Sequence, residues 1–489
     1  MAWIDFLDKT TANFPEKIAI VEQQTGRRLS YSQLSREVNR WANFLASQNV
    51  QKGERVALLK TNSLEHMTIF FACAKLGALF VPLNFRLSTD ELREIIHRIE
   101  VKVLIGEENC VLKNDFPFID VNKVQLPATE SFSTVVSTEN DPLLMLFTSG
   151  STGLPKGVML HGKMLMSNQI ATCEQWGLRS DDICLVETPF FHTGGYNVLS
   201  LPLLYLGGTC VLASKFDVEN VYRSFATEKI SVYFAVPTMF QMLAEHKNFK
   251  DGDFSHLRFL ISGGAHCSEE IIKMYQEKNL MFKQGFGLTE VGPNCFLLKE
   301  ADAVRKIGSI GQPMPHSRVM LVNDEGQEVG AGEVGELLIS GDHVCAGYFR
   351  DSAKFEESLL NGFFKTGDLA KKDDEGFYFI VGRKKDMYIS GGENVYPAEV
   401  ERKLLTHHDV LDAIIVPVPD ERWGEVGYAF IRASRSLELP EVKSFLDPIL
   451  SRYKQPHYLK HLNEFPLLAS GKINKQKLKE LAQQSIKNG

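Results

Sequence analysis

Apolar positions recur along this chain with two spacings. Leu34, Val38, Trp41 and Leu45 follow one another by three or four, which predicts an amphipathic helix opened by Ser30-Tyr31-Ser32-Gln33-Leu34. Val56-Ala57-Leu58-Leu59 is instead a short continuous apolar run, of strand type. The alternation continues with a helix to Leu76, a strand over Ala78 to Leu83, a helix from Ser88 to Arg98 and a strand over Val101 to Ile105. Strand-type runs return at Leu143 to Phe147, Ser231 to Val236 and Phe259 to Ser262. This rhythm predicts βαβ units and a mostly parallel sheet. The longest apolar stretch, Met67 to Val81, contains Lys75 and is shorter than the ~20 residues of a membrane span. It reads as a buried helix running into a strand. So does Val198 to Leu212, interrupted by Pro202 and Gly207-Gly208.

After about Gly308 the texture becomes β-rich. Val319 to Val322 and Gly335 to Ser340 read as strands, with a turn at Asn323-Asp324-Glu325-Gly326. Asp373-Asp374-Glu375-Gly376 is a second acidic turn before Phe377 to Ile380; neither turn has the ligand spacing of a calcium loop. A basic knot, Gly382-Arg383-Lys384-Lys385-Asp386, precedes about 100 self-sufficient residues. These hold helices at Ala398 to Leu405 and Pro440 to Arg452, and strands at Ala413 to Val418 and Tyr428 to Ile431. The knot is a candidate hinge or a solvated turn. The expected division is a large N-terminal domain, 1–384, of mixed α/β sheets with helices plus a β-rich subdomain. A small mobile α+β C-terminal domain, 385–489, would follow the hinge. No internal repeat is visible.

At 489 residues the chain holds about three ~150-residue units. Hydrophobic residues at 44% and charged residues at 24% exclude global disorder. The net charge of −7 argues against a nucleic-acid partner. The eight cysteines show no C-x-x-C spacing and read mostly as buried apolar residues. The first residues lack a basic, then apolar, leader, so the expected location is the reducing cytoplasm. A homodimer is left open.

The densest chemistry lies in Thr148-Ser149-Gly150-Ser151-Thr152-Gly153-Leu154-Pro155-Lys156-Gly157, after a buried-strand run. Glycines let backbone N–H groups turn toward an anion, hydroxyls donate, and the lysine adds a point charge. This is phosphate-binding chemistry, though no Gly-Lys-Ser/Thr closes it as a Walker A loop would.

That window resembles the phosphate loop of the acyl-adenylate-forming (AMP-binding) superfamily: acyl- and aryl-CoA ligases, luciferases and peptide-synthetase adenylation domains. Further motifs follow in the family's order, from about Phe14 to Lys475. Pro189 to Gly195 resembles the segment beside the substrate carboxylate, which implies a catalytic role for His192. Ser262-Gly263-Gly264-Ala265 resembles the turn against adenine. Gln284-Gly285-Phe286-Gly287-Leu288-Thr289-Glu290 resembles the most diagnostic motif, with Phe286 against adenine, Thr289 on the α-phosphate and Glu290 on Mg²⁺. Lys365-Thr366-Gly367-Asp368 resembles the ribose site, with Arg383 its companion and Lys385 the hinge. Ser390-Gly391-Gly392 resembles the wall of the CoA tunnel. Pro466 to Ile473 resembles the terminal motif, with Lys472 meeting the carboxylate and α-phosphate; many members have Arg where this chain has Leu467.

The resemblance implies a two-step ligase using ATP, Mg²⁺ and coenzyme A. A carboxylate displaces pyrophosphate from ATP to give acyl-AMP, and the CoA thiol then displaces AMP. By resemblance, His192, Thr193, Gly194, Gly195, Tyr196, Gly287 and Val291 line the acyl slot, with Gly292 and Pro293 beside them. His192 stands where amino-acid-activating members carry aspartate, and no carrier domain follows Gly489, which favours a free-standing CoA ligase. No Arg or Lys in that set would meet a second carboxylate, which disfavours malonate. The closest overall resemblance is to bacterial fatty-acyl-CoA synthetases, so a medium- or long-chain fatty acid is the expected substrate. An aryl acid of the coumarate, benzoate or o-succinylbenzoate type is the alternative. A catalytically silent nucleotide-binding homologue is the alternative of another class.

Overall fold

The computed structural model describes residues 3–148, 155–265, 267–467 and 473–488. The chain divides into two compact units, Met1–Val319 with Ile339–Phe364, and Met320–Leu338 with Lys365–Gly489.

The first unit carries two seven-stranded sheets. One runs Phe282–Gln284, Phe259–Ser262, Val232–Ala235, Ile183–Val186, Thr209–Leu212, Ile18–Glu22, Arg28–Ser30. Its pairings are parallel except the last. The other runs Gly347–Tyr348, Lys156–His161, Pro142–Thr148, Leu79–Pro82, Arg55–Leu59, Val103–Gly106, Phe118–Asp120. It is parallel from Pro142–Thr148 onward and antiparallel at the Gly347–Tyr348 edge.

Helices form where the apolar period and the caps agree. In Tyr31–Ser47 the residues Leu34, Val38, Trp41 and Leu45 are all buried, and Ser30 with Gln33 closes a capping box. Ser88 and Glu91 do the same for Thr89–Arg98. The stretch expected as helix-into-strand becomes Leu64–Leu76 followed by Leu79–Pro82, with Gly77 at φ 68° ending the helix. The second such stretch becomes Ser200–Leu206 and Thr209–Leu212. Pro202 sits in the first helical turn, where its missing N–H is harmless.

The second unit pairs Tyr388–Ser390, Glu393–Val395, Val410–Asp420, Gly424–Ala433 and Tyr458–His461 in one sheet. Helices Pro397–Leu404, Leu439–Leu446 and Lys475–Asn488 accompany it, burying Val400, Leu404, Val442 and Leu446 in one cluster and Leu478 and Ala482 in another. Both acidic turns are turns: the Asp373 carboxylate accepts from the Glu375 and Phe377 amides, and the Asn323 side chain accepts from Gln327 N.

Two expected elements are corrected. The helix expected from Pro440 to Arg452 is Leu439–Leu446, with a separate 3₁₀ turn at Arg452–Lys454. Pro448 lacks the amide that would continue the ladder. The strand expected from Val101 begins at Val103, because Glu100 turns the chain with φ 47°. Seven of the eight cysteines are buried, Cys110 being half-buried. No helix among the described residues is long and apolar enough to cross a membrane.

Candidate active site

In the first unit, three motif-bearing segments leave the same edge of the mostly parallel sheet. Strand Ile183–Val186 leads into Glu187 to Gly195, Phe259–Ser262 into Gly263-Gly264-Ala265, and Phe282–Gln284 into Gly285 to Glu290. Val232–Ala235 lies between the first two. The register sets Ala235 beside Ser262, and Ser262 beside Gln284. The carboxyl edge of a parallel sheet is where open α/β folds bind ligands, because the strand ends and loops converge there.

Phe234 joins two of these loops. A Cβ on Gly194 would lie 2.9 Å from its ring, and one on Gly263 3.2 Å. A side chain at Gly194 would force that ring to shift, and one at Gly263 would need it to give by a few tenths of an ångström. Gly195 is required by backbone instead: a Cβ there would stand 2.8 Å from the Pro189 carbonyl oxygen. His192 is half-buried, its ring 4.5 Å from that of Phe191. Thr193 Oγ1 accepts from Asn197 Nδ2 at 3.0 Å. Tyr196, expected to line the acyl slot, is fully buried against Phe190 and Phe70, and its hydroxyl donates to the His66 carbonyl. The structure thus makes Tyr196 a core residue, enclosed by aromatic neighbours. Val291 is likewise fully buried.

The Gly287 loop closes on itself. Leu288 N donates to Gly292 O and Cys295 N to Phe286 O, and a Cβ on Gly287 would lie 2.1 Å from Gly292 O. Thr289 and Glu290 sit half-buried within this loop, and Phe286 packs edge-on to Phe296. The loop is buttressed by a segment that sequence reading missed. His343 Nδ1–H donates to Val291 O at 2.5 Å while its Nε2 faces Ser317 Oγ at 3.1 Å. Burial holds that imidazole below its ordinary pKa, which suits the neutral tautomer. Cys345 N donates to Glu290 O, and the Tyr348 hydroxyl donates to Glu290 Oε1 at 3.2 Å. No spacing pattern singles out His343 or Tyr348.

Thr148 and Lys156 pair across adjacent antiparallel strands, so the ends of the phosphate-loop window meet. Its residues Ser149, Gly150, Ser151, Thr152 and Gly153 lie outside the described residues, as does Lys472. The ends of the terminal motif also meet: Leu467 bridges Ile473, and Asn474 N donates to Pro466 O at 2.7 Å. Leu467 is 60% exposed, so backbone pairing rather than its side chain joins those ends.

In the second unit, Asp368 and Arg383 form one ion pair, Oδ1 to Nε, at 2.7 Å, and stand opposite in paired strands. Arg383 also donates to Thr366 O. Arg383 ends the strand Tyr378–Arg383, and the knot after it is a 3₁₀ turn, Lys384–Asp386. Lys384 pairs with Asp324 and Glu336, and Asp386 with Lys475, while Lys385 between them is exposed. Gly391 (φ 61°) and Gly392 (φ 89°) turn between Tyr388–Ser390 and Glu393–Val395. A Cβ on Gly391 would lie 2.7 Å from the Trp423 ring, whereas Gly392 has open space.

A buried acid at the same sheet edge also escaped sequence reading. Glu187 is 3% exposed and accepts from the Tyr233 hydroxyl at 2.7 Å. Burial pushes its carboxyl from 4.5 up to about 8, against the opposing Tyr233 hydrogen bond. Between pH 4.5 and 8 the unfolded chain releases this proton and the folded one keeps it, so stability falls as pH rises through that window and is level above it. Glu187→Gln removes the titration. Its stability relative to wild type is expected to improve between pH 5 and pH 8 by on the order of 3 kcal/mol, checked by urea unfolding at both pH values. A constant difference would mean that Glu187 is ionised in the fold.

Comparison with known proteins gives the family. The family model "AMP-binding enzyme" matches residues 7–349, and "AMP-binding enzyme C-terminal domain" matches 399–472. A feruloyl-CoA synthase of Amycolatopsis is 37% identical over 92% of this chain and 93% of its own. An indoleacetate–CoA ligase of Aromatoleum aromaticum is 35% identical over 97% and 95%. A long-chain-fatty-acid–CoA ligase of Mycobacterium tuberculosis is 33% identical over 95% of each chain. The solved o-succinylbenzoate CoA synthetase of Bacillus subtilis, in complex with its acyl-adenylate intermediate, superposes with a TM-score of 0.89 at 29% identity, covering 97% of both chains. This chain belongs to the AMP-binding enzyme family, among its AMP-forming acid–thiol (CoA) ligases.

Proposed function

We propose that this chain activates an aryl or arylalkyl carboxylic acid as its adenylate and passes the acyl group to coenzyme A. The observation that carries the reading is the convergence of the His192, Gly263-Gly264 and Thr289-Glu290 loops at one sheet edge. In the first step a carboxylate oxygen bonds to the α-phosphorus of ATP and pyrophosphate leaves. In the second the thiolate sulfur bonds to the acyl carbon and AMP leaves. The residues position and neutralise, and none needs to act as a nucleophile. Thr148, Lys156 and the loop between them would hold the outer phosphates. Gly263, Gly264, Ala265 and Phe286 would border adenine. Asp368 would accept from the ribose hydroxyls with Arg383 beside it. Thr289 and Lys472 would meet the α-phosphate, and His192 the substrate carboxylate.

Glu290 suits a magnesium ion. A single carboxylate is a sufficient protein ligand for an ion that keeps waters and takes phosphate oxygens. Bound Mg²⁺ would neutralise charge on the transferring phosphate.

The relatives' named acids are of both aryl and fatty kinds, so the family does not restrict the acid to a fatty one. Two features favour the flat acid. The Phe234 ring, flanked by Gly194 and Gly263, offers an aromatic wall with small residues either side. Behind Thr193, buried Asn168 and Asn197 carry side-chain oxygens with no hydrogen-bond partner among the described residues. An apolar tail would leave these unpaired, whereas a ring hydroxyl or N–H would satisfy one. The fatty-acid reading is second, supported by the mycobacterial relative.

The expected result is at least a tenfold higher kcat/KM for ferulate, 4-coumarate or indoleacetate than for any aliphatic acid from C4 to C16, and for 4-coumarate over cinnamate. In an aliphatic slot, kcat/KM would instead climb with each CH₂ by up to about 0.8 kcal/mol. That series would establish the fatty-acid reading. Absence of acid-dependent pyrophosphate exchange across the panel, with ATP still bound, would make the chain a silent nucleotide-binding homologue.

A further inference from the structure

Tyr348 touches both a phosphate-loop lysine and a metal-side carboxylate. The Lys156 ammonium lies 4.6 Å from the centre of its ring, and its hydroxyl donates to Glu290 Oε1 at 3.2 Å. We propose that Tyr348 is a positioning residue that holds Lys156 and Glu290 apart and aims both at one nucleotide triphosphate and its metal. The proposal rests on the roles read above for those two residues.

The physical case begins with the ring. A phenol presents a negative face to a cation and a polar O–H in its plane to an anion, so one side chain engages both charges through different surfaces. Two opposite charges facing one site would otherwise be drawn into an ion pair and withdraw from ligand.

The backbone makes this arrangement stiff. Gly347–Tyr348 pairs with the strand that begins at Lys156, setting Tyr348 opposite Val158 and Gly347 opposite Met159. Ala346 N donates to Met159 O and Phe349 N to Gly157 O, both at 2.8 Å. Three residues earlier than Tyr348, Cys345 N holds the Glu290 carbonyl at 2.8 Å. The short strand thus ties the lysine's strand to the carboxylate's loop, and the Phe355 ring packs perpendicular to the tyrosine ring at 5.7 Å.

The two halves of the phenol can be removed separately. Tyr348→Phe keeps the ring under Lys156 and deletes the donor to Glu290. Tyr348→Leu deletes both. ATP binding is measured by titration calorimetry with and without Mg²⁺, alongside melting temperature and pyrophosphate exchange. For Tyr348→Phe the expected outcome is about fivefold weaker binding of ATP with Mg²⁺, and less than twofold change without it. For Tyr348→Leu both affinities fall, by fivefold or more. Glu290→Gln should reproduce the Phe variant, and Tyr348→Phe should add nothing in its background. If both tyrosine variants lower the melting temperature yet bind ATP as wild type under both conditions, Tyr348 is only a packing residue and the proposal falls. If Glu290→Gln loses Mg²⁺-dependent affinity and Tyr348→Phe keeps it, Tyr348 alone is misassigned. If Glu290→Gln keeps full Mg²⁺-dependent affinity, the reading of Glu290 fails and the proposal with it.

Discussion

Glu290→Gln is expected to lower acid-dependent pyrophosphate exchange by about 10²- to 10³-fold while leaving the melting temperature nearly unchanged. The magnitude is that of removing one preorganised electrostatic contact to a transition state, about 2.7–4 kcal/mol. Glutamine keeps the size and an oxygen to accept from Tyr348. The loop that carries it is held by backbone: Leu288 N to Gly292 O, Cys295 N to Phe286 O, Cys345 N to Glu290 O. None of those bonds needs the carboxylate charge, so folding should be spared. Exchange measured at a series of Mg²⁺ concentrations, beside a thermal melt, checks this. A collapse of the melt with normal activity per folded molecule would make Glu290 a structural residue.

Lys472→Ala is expected to reduce acyl-AMP formation by a similar 10²- to 10³-fold, because it removes the cation assigned to the α-phosphate. Transfer from supplied acyl-AMP to CoA should persist within a few-fold. The reason lies in two assignments within one segment: Lys472 for adenylation, and the Gly391-Gly392 turn for thiol entry. One pose of the last ~100 residues would serve each half-reaction, with reorientation at Lys385 between them. Lys385→Pro should then give the opposite pattern, with adenylation spared and thioester formation slowed. Proline at 385 fixes φ inside the 3₁₀ turn Lys384–Asp386 and disfavours the helical conformation of Lys384 before it, so a melt recorded beside the two assays separates hinge damage from local unfolding. Lys384 and Asp386 stay anchored by their ion pairs on either side. Gly392→Leu should behave like the hinge variant, tested against the strain its φ of 89° imposes by a melt. Equal damage to both half-reactions by Lys472→Ala and Lys385→Pro would dismiss the alternation.

Much of the local structure was legible because it is written in short-range terms. The spacing of Leu34, Val38, Trp41 and Leu45 gives a buried helical face whatever it packs against. Ser30 with Gln33 and Ser88 with Glu91 begin helices through hydrogen bonds inside four residues. Gly287 is demanded by its own loop, where a Cβ would strike Gly292 O. The motifs could therefore be read as loops, and their chemistry from their side chains. The helix near Pro440 ends before its apolar spacing does, because Pro448 breaks it.

What the sequence by itself determined is the set of loops and the chemistry each can do: a hydroxyl- and glycine-rich loop with Lys156, a carboxylate at Glu290, a Gly-Gly turn at Gly391. What only the tertiary structure decided is which of these share a surface. Strand order sets the ends of Ile183–Val186, Val232–Ala235, Phe259–Ser262 and Phe282–Gln284 at one edge. It also brings Tyr348 to the strand of Lys156 and to Glu290, and Phe234 between Gly194 and Gly263. Periodicity and caps are properties of neighbouring residues. Sheet order and register are chosen by the joint burial of many distant side chains, so no window of the chain contains them.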